Sequence, residues 1–210
     1  MRKLLAGISI FLVFSSTALA GAYEDILAAA GNGDSSTVID LIQRGMDVNT
    51  ADRTGTTLLM IAARNKNMDL LDNLLKSGAN VNRHNQYGDS ALLLAVLNGH
   101  IDAVRRLLAA RAEVNPDGWT PLHYASFAGH AELAALLLEH KAAVNVRAPN
   151  GQTALMLAAK NGRPEIVRLL IAAKANPGLT DPNGNTARQL AVEEGHSEIA
   201  DYLSSLGTAH

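Results

Sequence analysis

The chain has 210 residues, no cysteine, 18 Lys and Arg against 20 Asp and Glu, and only 4% aromatic residues. Without cysteine there is no disulfide, no thiolate metal site and no lipid-modified lipoprotein start. The balance is slightly acidic and no basic run interrupts the chain, which argues against nucleic acid or an anionic membrane surface as the partner.

In chain order, Arg2 and Lys3 give a positive start, Leu4 to Phe14 is almost purely apolar, and Ser15 to Ala20 is small and polar, ending in Ala18-Leu19-Ala20. That order predicts a secretory signal peptide over residues 1–20, cleaved after Ala20, since an apolar run of about eleven residues is too short to span a bilayer comfortably. The expected consequence is export to the periplasm or secretion, with no membrane insertion after cleavage. The mature chain would lose two of its basic residues and keep all 20 acidic ones, a formal charge of −4.

From residue 21 onward the sequence repeats. Ala29, Ala62, Ala95, Ala125, Ala158 and Ala191 are separated by steps of 33, 33, 30, 33 and 33. Leu41, Leu74, Leu107, Leu137, Leu170 and Leu203 follow the same steps, and the loop glycines Gly55, Gly88, Gly118, Gly151 and Gly184 keep the same register. Within each period two short apolar segments at helical spacing flank a turn, as in Thr120–Phe127 and Ala131–His140 around Gly129. Helices this short cannot bury their faces alone, so the pattern predicts a solenoid in which each unit packs on the next. One domain over 21–210 accommodates units at about 21–51, 52–84, 85–115, 116–148, 149–180 and 181–210.

With Thr120, Pro121, Leu122, His123 and Ala125 in a period of 33, the sequence resembles the ankyrin repeat family. The resemblance covers Tyr23 to about Gly207. It implies an all-α solenoid of about six helix-turn-helix repeats joined by β-hairpin-like fingers, and a non-enzymatic role in binding another protein through a concave face.

Unit one starts directly in its helix, as suits a terminal cap, with Asp34, Ser35 and Ser36 opening the second helix. In unit two Lys66 stands where the other units carry Gly33, Gly99, Gly129, Gly162 and Gly195, which predicts a strained turn. Between Asn115 and Gly118 only Pro116 and Asp117 remain, whereas five residues separate Asn82 from Gly88, so the finger joining units three and four is three residues short. That shortening should leave a notch.

Catalytic and metal chemistry find little support. His100, His130 and His196 recur at one turn position and His123 sits in the Thr-Pro-Leu-His stretch, where the resemblance implies structural hydrogen bonds. Asp69, Asp102, Glu132, Glu165 and Glu198 fall in the first turns of second helices, where carboxylates are expected to cap free N–H groups. No metal-ligand spacing, nucleophile elbow or phosphate loop is present, so a hydrolase or metalloprotein is the weaker alternative and no metal or cofactor is expected. Positions that the repeat leaves free become the candidate partner surface of an expected monomer. In unit two these are Arg53, Thr54, Thr56, Arg64 and Asn65, and in unit three Gln86, Tyr87, Asp89, Leu97 and Asn98. Unit four gives Pro116, Asp117, Trp119, Phe127 and Ala128, and unit five Asn150, Gln152, Lys160 and Asn161. Tyr87, Trp119 and Phe127 are the natural energetic anchors there, although Phe127 could instead pack between repeats.

Overall fold

The structure, a computed structural model, describes residues 16–206. Most of the expected signal peptide therefore lies outside the described residues, which contain twelve α-helices and no β-strand. They pair as α1 (Ser16–Asn32) with α2 (Ser35–Gln43), α3 (Leu58–Arg64) with α4 (Met68–Lys76), and α5 (Ala91–Leu97) with α6 (Ile101–Ala109). The remaining pairs are α7 (Pro121–Ala128) with α8 (Ala131–Glu139), α9 (Ala154–Lys160) with α10 (Pro164–Ala172), and α11 (Ala187–Glu193) with α12 (Ser197–Ser205). The first helices α1, α3, α5, α7, α9 and α11 pack in sequence as one layer, and the second helices form a layer behind them.

Each first helix after α1 starts at a hydroxyl that accepts one of the backbone N–H groups its first turn leaves without an intrahelical partner. Thr57, Ser90, Thr120, Thr153 and Thr186 are the N-caps, each accepting from the N–H three residues on. Helix α1 differs from expectation, because it begins at Ser16 and runs through the expected cleavage position between Ala20 and Gly21. The fingers are hairpin-like only in units two, five and six, where single antiparallel bridges join Ala51 to Thr57, Arg147 to Thr153 and Thr180 to Thr186. The shortened finger of unit four has no such bridge.

The two ladders of the sequence have one structural meaning. In the first helices the carbonyl of the ladder alanine accepts the N–H five residues on, as Asn67 to Ala62 and His100 to Ala95 at 2.9 Å, and His130 to Ala125 at 3.0 Å. In the second helices the ladder leucine does the same, as Ala79 to Leu74 at 3.0 Å and Ala142 to Leu137 at 2.9 Å. Both are the 6→1 bond that closes a helix through a left-handed residue. The ladder side chains are also core, with Ala62, Ala95, Ala125, Leu74, Leu107 and Leu137 all buried. Alanine lets neighbouring first helices approach closely, while leucine fills the wider second layer.

The left-handed residue is where chain and rule diverge. Lys66 has φ 56°, so the expected strain is there, but Arg111, Lys141 and Lys174 adopt the same region after α6, α8 and α10. Two features offset the cost of a Cβ there. A cation at a helix C-terminus meets the negative end of the dipole. In addition, Asn82, Asn115 and Asn145 donate from Nδ2 to the carbonyls of Arg111, Lys141 and Lys174 at 3.4, 3.0 and 3.5 Å. The same asparagines accept from Glu113, Ala143 and Asn176 N–H at 2.7–2.8 Å, stitching each repeat to the next.

A second row of ties runs backwards. His130 Nε2 bonds the carbonyl of Leu97 at 3.2 Å and His196 Nε2 that of Lys160 at 3.1 Å. Their rings rest on the preceding turn glycine, and a Cβ at Gly162 would come within 2.6 Å of His196 Cε1. Over Lys66, which has a side chain, His100 instead uses Nδ1 to reach Ala63 one residue earlier, at 3.0 Å. These histidines are structural, as the resemblance implies. The carboxylate ladder needs correcting. The N-caps of the second helices are Asp34, Asn67, His100, His130, Arg163 and His196, and the last five stand two residues before those acids. At the second helical position a carboxylate points outward, so Glu132 pairs with Arg105 at 3.6 Å and Glu198 with Arg168 at 2.5 Å. These pairs are exposed and add little stability.

Leu137→Ala is expected to destabilise the protein by roughly 2–5 kcal/mol, the range for truncating a leucine buried between neighbours. Leu203→Ala, in the last described repeat, should cost less because its unit packs on one side only. Urea melts of both variants check this, and equal losses would contradict the nearest-neighbour account.

Candidate protein-binding surface

Two residues beyond each ladder alanine, the first helix presents a position turned to solvent in every unit. It holds Gly31, Arg64, Leu97, Phe127, Lys160 and Glu193, all exposed. Nothing in the packing dictates this residue, and its chemistry changes from repeat to repeat. Leu97 and Phe127, at 38% and 51% exposure, are neighbours in that row, so Phe127 does not pack between repeats.

The finger of unit three adds Tyr87, 71% exposed. Its backbone is held by Asn85, whose Oδ1 accepts the N–H groups of Tyr87 and Asp89 at 2.9 Å each. Unit four adds Trp119, half-buried, with its ring edge-on to His123 at 5.8 Å and tilted against Tyr124 at 5.9 Å. Tyr124 is the residue sequence reasoning missed. It occupies the place of Ile61, Leu94, Leu157 and Leu190, which are core, but it stays half-buried with a polar tip. Burial first, then the charge and hydrogen bond of Asp89, push its phenol above the ordinary range. A tyrosine at an otherwise aliphatic position was the available signal.

Of the remaining candidates, Arg53, Gln86, Asp117 and Asn150 are exposed alongside Arg64 and Lys160, while Asp89 and Gln152 are half-buried. Asn150 and Gln152 hold each other, Asn150 Oδ1 accepting from Gln152 N–H and Nδ2 donating to Gln152 Oε1, both at 3.0 Å. Thr56 and Pro116 are corrections, because both are buried. Thr56 lies under its own finger with its N–H bound to Asp52 Oδ1 at 2.9 Å. The aromatic residues are concentrated: Tyr87, Trp119, Tyr124 and Phe127 are four of the six between residues 21 and 206, the others being Tyr23 and Tyr202. The patch therefore belongs to units three and four and not to the solenoid in general.

Beneath the patch, His123 is buried and its protonation is fixed by its partners. The N–H of Thr120 can only donate, so Nδ1 accepts it at 3.0 Å. Nε2 then carries the proton and donates to the carbonyl of Val146 at 3.0 Å, tying unit four to the next finger. In units two and five Met60 and Met156 fill this place, each with Sδ 3.4 Å from the N–H of Thr57 or Thr153. Among the described residues no group of three or more His, Asp or Glu side chains is placed to hold a metal ion, and no helix is long and apolar enough to cross a membrane.

A family model described as "Ankyrin repeats (3 copies)" matches residues 26–116, 59–148, 110–181 and 142–209 in overlapping registers. The chain belongs to the ankyrin repeat family. No curated protein matches it. Ankyrin repeats are generally protein–protein interaction modules and typically non-catalytic scaffolds. In this ankyrin repeat protein the scaffold is carried by the two ladders and their ties, and the exposed row with its aromatic neighbours is what remains for a partner.

Burial holds the His123 imidazole below its ordinary value of 6.5, against the opposing effect of the bond to Val146. A depressed value in the folded state means that stability is full above about pH 6.5 and is lost as pH falls below it, while the unfolded chain takes up the proton. The substitution His123→Met, which copies units two and five, should reduce the fall in melting temperature between about pH 7.5 and pH 5.5. Melts of both proteins across that window check it; an unchanged slope would remove His123 from the acid sensitivity.

Proposed function

We propose that this ankyrin repeat protein is an exported, non-enzymatic monomer that binds another protein across the solvent face of its first helices, centred on Tyr87, Trp119, Tyr124 and Phe127. The observation that carries the reading is the exposure of large apolar and aromatic side chains side by side in units three and four, in a chain otherwise poor in aromatics. Exposed aromatics ringed by polar residues are the usual anchors of protein interfaces. Export rests on the order of charged, apolar and small residues over 1–20. In the periplasm such a protein would act as an assembly or stability factor for an exported enzyme, or as an inhibitor protecting its own cell from a secreted toxic one. Finding a toxin-like gene beside this one would favour the second role over the first.

Cell fractionation with N-terminal sequencing tests export: the expected product starts at Gly21 in the periplasmic fraction. Retention of residues 1–20 in the membrane fraction would overturn release. Phe127→Ala should leave the thermal melt unchanged and weaken partner binding by about thirtyfold, the equivalent of about 2 kcal/mol for an interface anchor. Trp119→Ala should weaken binding similarly but also lower stability by about 1 kcal/mol through its contacts with His123 and Tyr124. Titration and melts of both variants decide, and undiminished binding by both would move the interface elsewhere.

A further inference from the structure

The exposed row is ordered by charge as well as by shape. Arg64 in unit two and Lys160 in unit five bracket Leu97 and Phe127, with every one of the four exposed. Arg53 on the finger of unit two strengthens the first cationic end. Neither end is locked by a strong internal partner. Arg64 Nε lies 3.5 Å from the neutral Asn65 Oδ1, and Lys160 Nζ is 3.9 Å from Glu194, a solvent-exposed pair of the kind that contributes little and exchanges readily. Of the nearby acids, Asp52 feels the Arg64 charge but is held on its own finger by Thr54 and Thr56, and Asp89 is engaged with Tyr124 and accepts from Asn85. An apolar centre between two available cations is complementary to a chain segment with the opposite arrangement.

Resting on the protein-binding reading above, we infer that the partner presents an extended acidic–apolar–acidic segment that lies along this row, its carboxylates on Arg64 and Lys160 and its apolar side chains on Leu97 and Phe127. The span fixes its length. Adjacent packed helices are about 8–10 Å apart, so three steps from unit two to unit five cover about 24–30 Å. An extended chain rises about 3.3 Å per residue, so about eight residues bridge the two cations.

The probes are two synthetic peptides of about ten residues with the same leucine- and valine-containing centre, one ending in paired glutamates and the other in paired lysines. Binding is read from the fluorescence of Trp119, the single tryptophan of the chain. The full mature protein should bind the glutamate-ended peptide at least about tenfold more tightly, and the preference should collapse near 1 M salt, where charges are screened beyond about 3 Å. In the double variant Arg64→Glu with Lys160→Glu, both sites being exposed, the preference should invert. Equal binding of the two peptides, no binding of either at millimolar concentration, or a preference that survives the double reversal would each overturn the inference. So would sedimentation showing a dimer abolished by Arg64→Glu, which would put a second copy of the chain on the row. If the natural partner is lost with Phe127→Ala but retained by the charge-reversed variant, the protein-binding surface stands and the acidic segment falls.

Discussion

The whole molecule depends on the closing turn of each short helix. A helix of seven to nine residues has few internal hydrogen bonds and no second face to bury, so by itself it is unstable in water. Here each one before α12 ends in a left-handed residue whose geometry lets one carbonyl, that of the ladder alanine or the ladder leucine, take the N–H of the segment that follows. The same residue then packs its side chain into the neighbouring repeat. Local closure and inter-repeat burial thus fall on one position, which explains why alanine and leucine recur there in every unit while the residues around them vary.

Polar ties follow from that arrangement. Once the turns are stacked, the carbonyls at the ends of the first helices face the N-caps of the next repeat. A histidine, or Asn67 with its Nδ2 to Gly33 carbonyl at 3.3 Å, spans the gap. On the finger side, Asn82, Asn115 and Asn145 do the equivalent work for the second helices. Histidines that sequence reasoning would weigh as ligands are spent on backbone carbonyls. The chemistry left to solvent is the exposed row and the aromatic patch beside it.

The periodic part of this was legible in the sequence, because burial at a fixed step forces residue identity at a fixed step: the ladders, the short finger after Asn115 and the positive φ at Lys66 all follow. What escaped is where several residue types satisfy the same geometry. Arg111, Lys141 and Lys174 carry no mark of a left-handed backbone, since what holds them there is a dipole and an asparagine one repeat away. The acid ladder lies in the expected first turns but two residues inside the N-cap positions, where its carboxylates do not cap. Trp119 and Phe127 stand out in the sequence as large side chains at positions the ladders do not use. Tyr124 was hidden because it occupies a position that is core in four other units, and only its phenol and the Asp89 beside it set it apart.

The ties of the first-helix layer have a direction. At three junctions a histidine of the later repeat reaches a carbonyl at the helix end of the earlier one: His100 reaches Ala63, His130 reaches Leu97, His196 reaches Lys160. In the second-helix layer the sense is reversed: Asn82, Asn115 and Asn145 of the earlier repeat donate to the carbonyls of Arg111, Lys141 and Lys174 in the later one. Ties therefore run in both senses along the solenoid, and a repeat missing on either side hands its neighbour's bonding groups back to water.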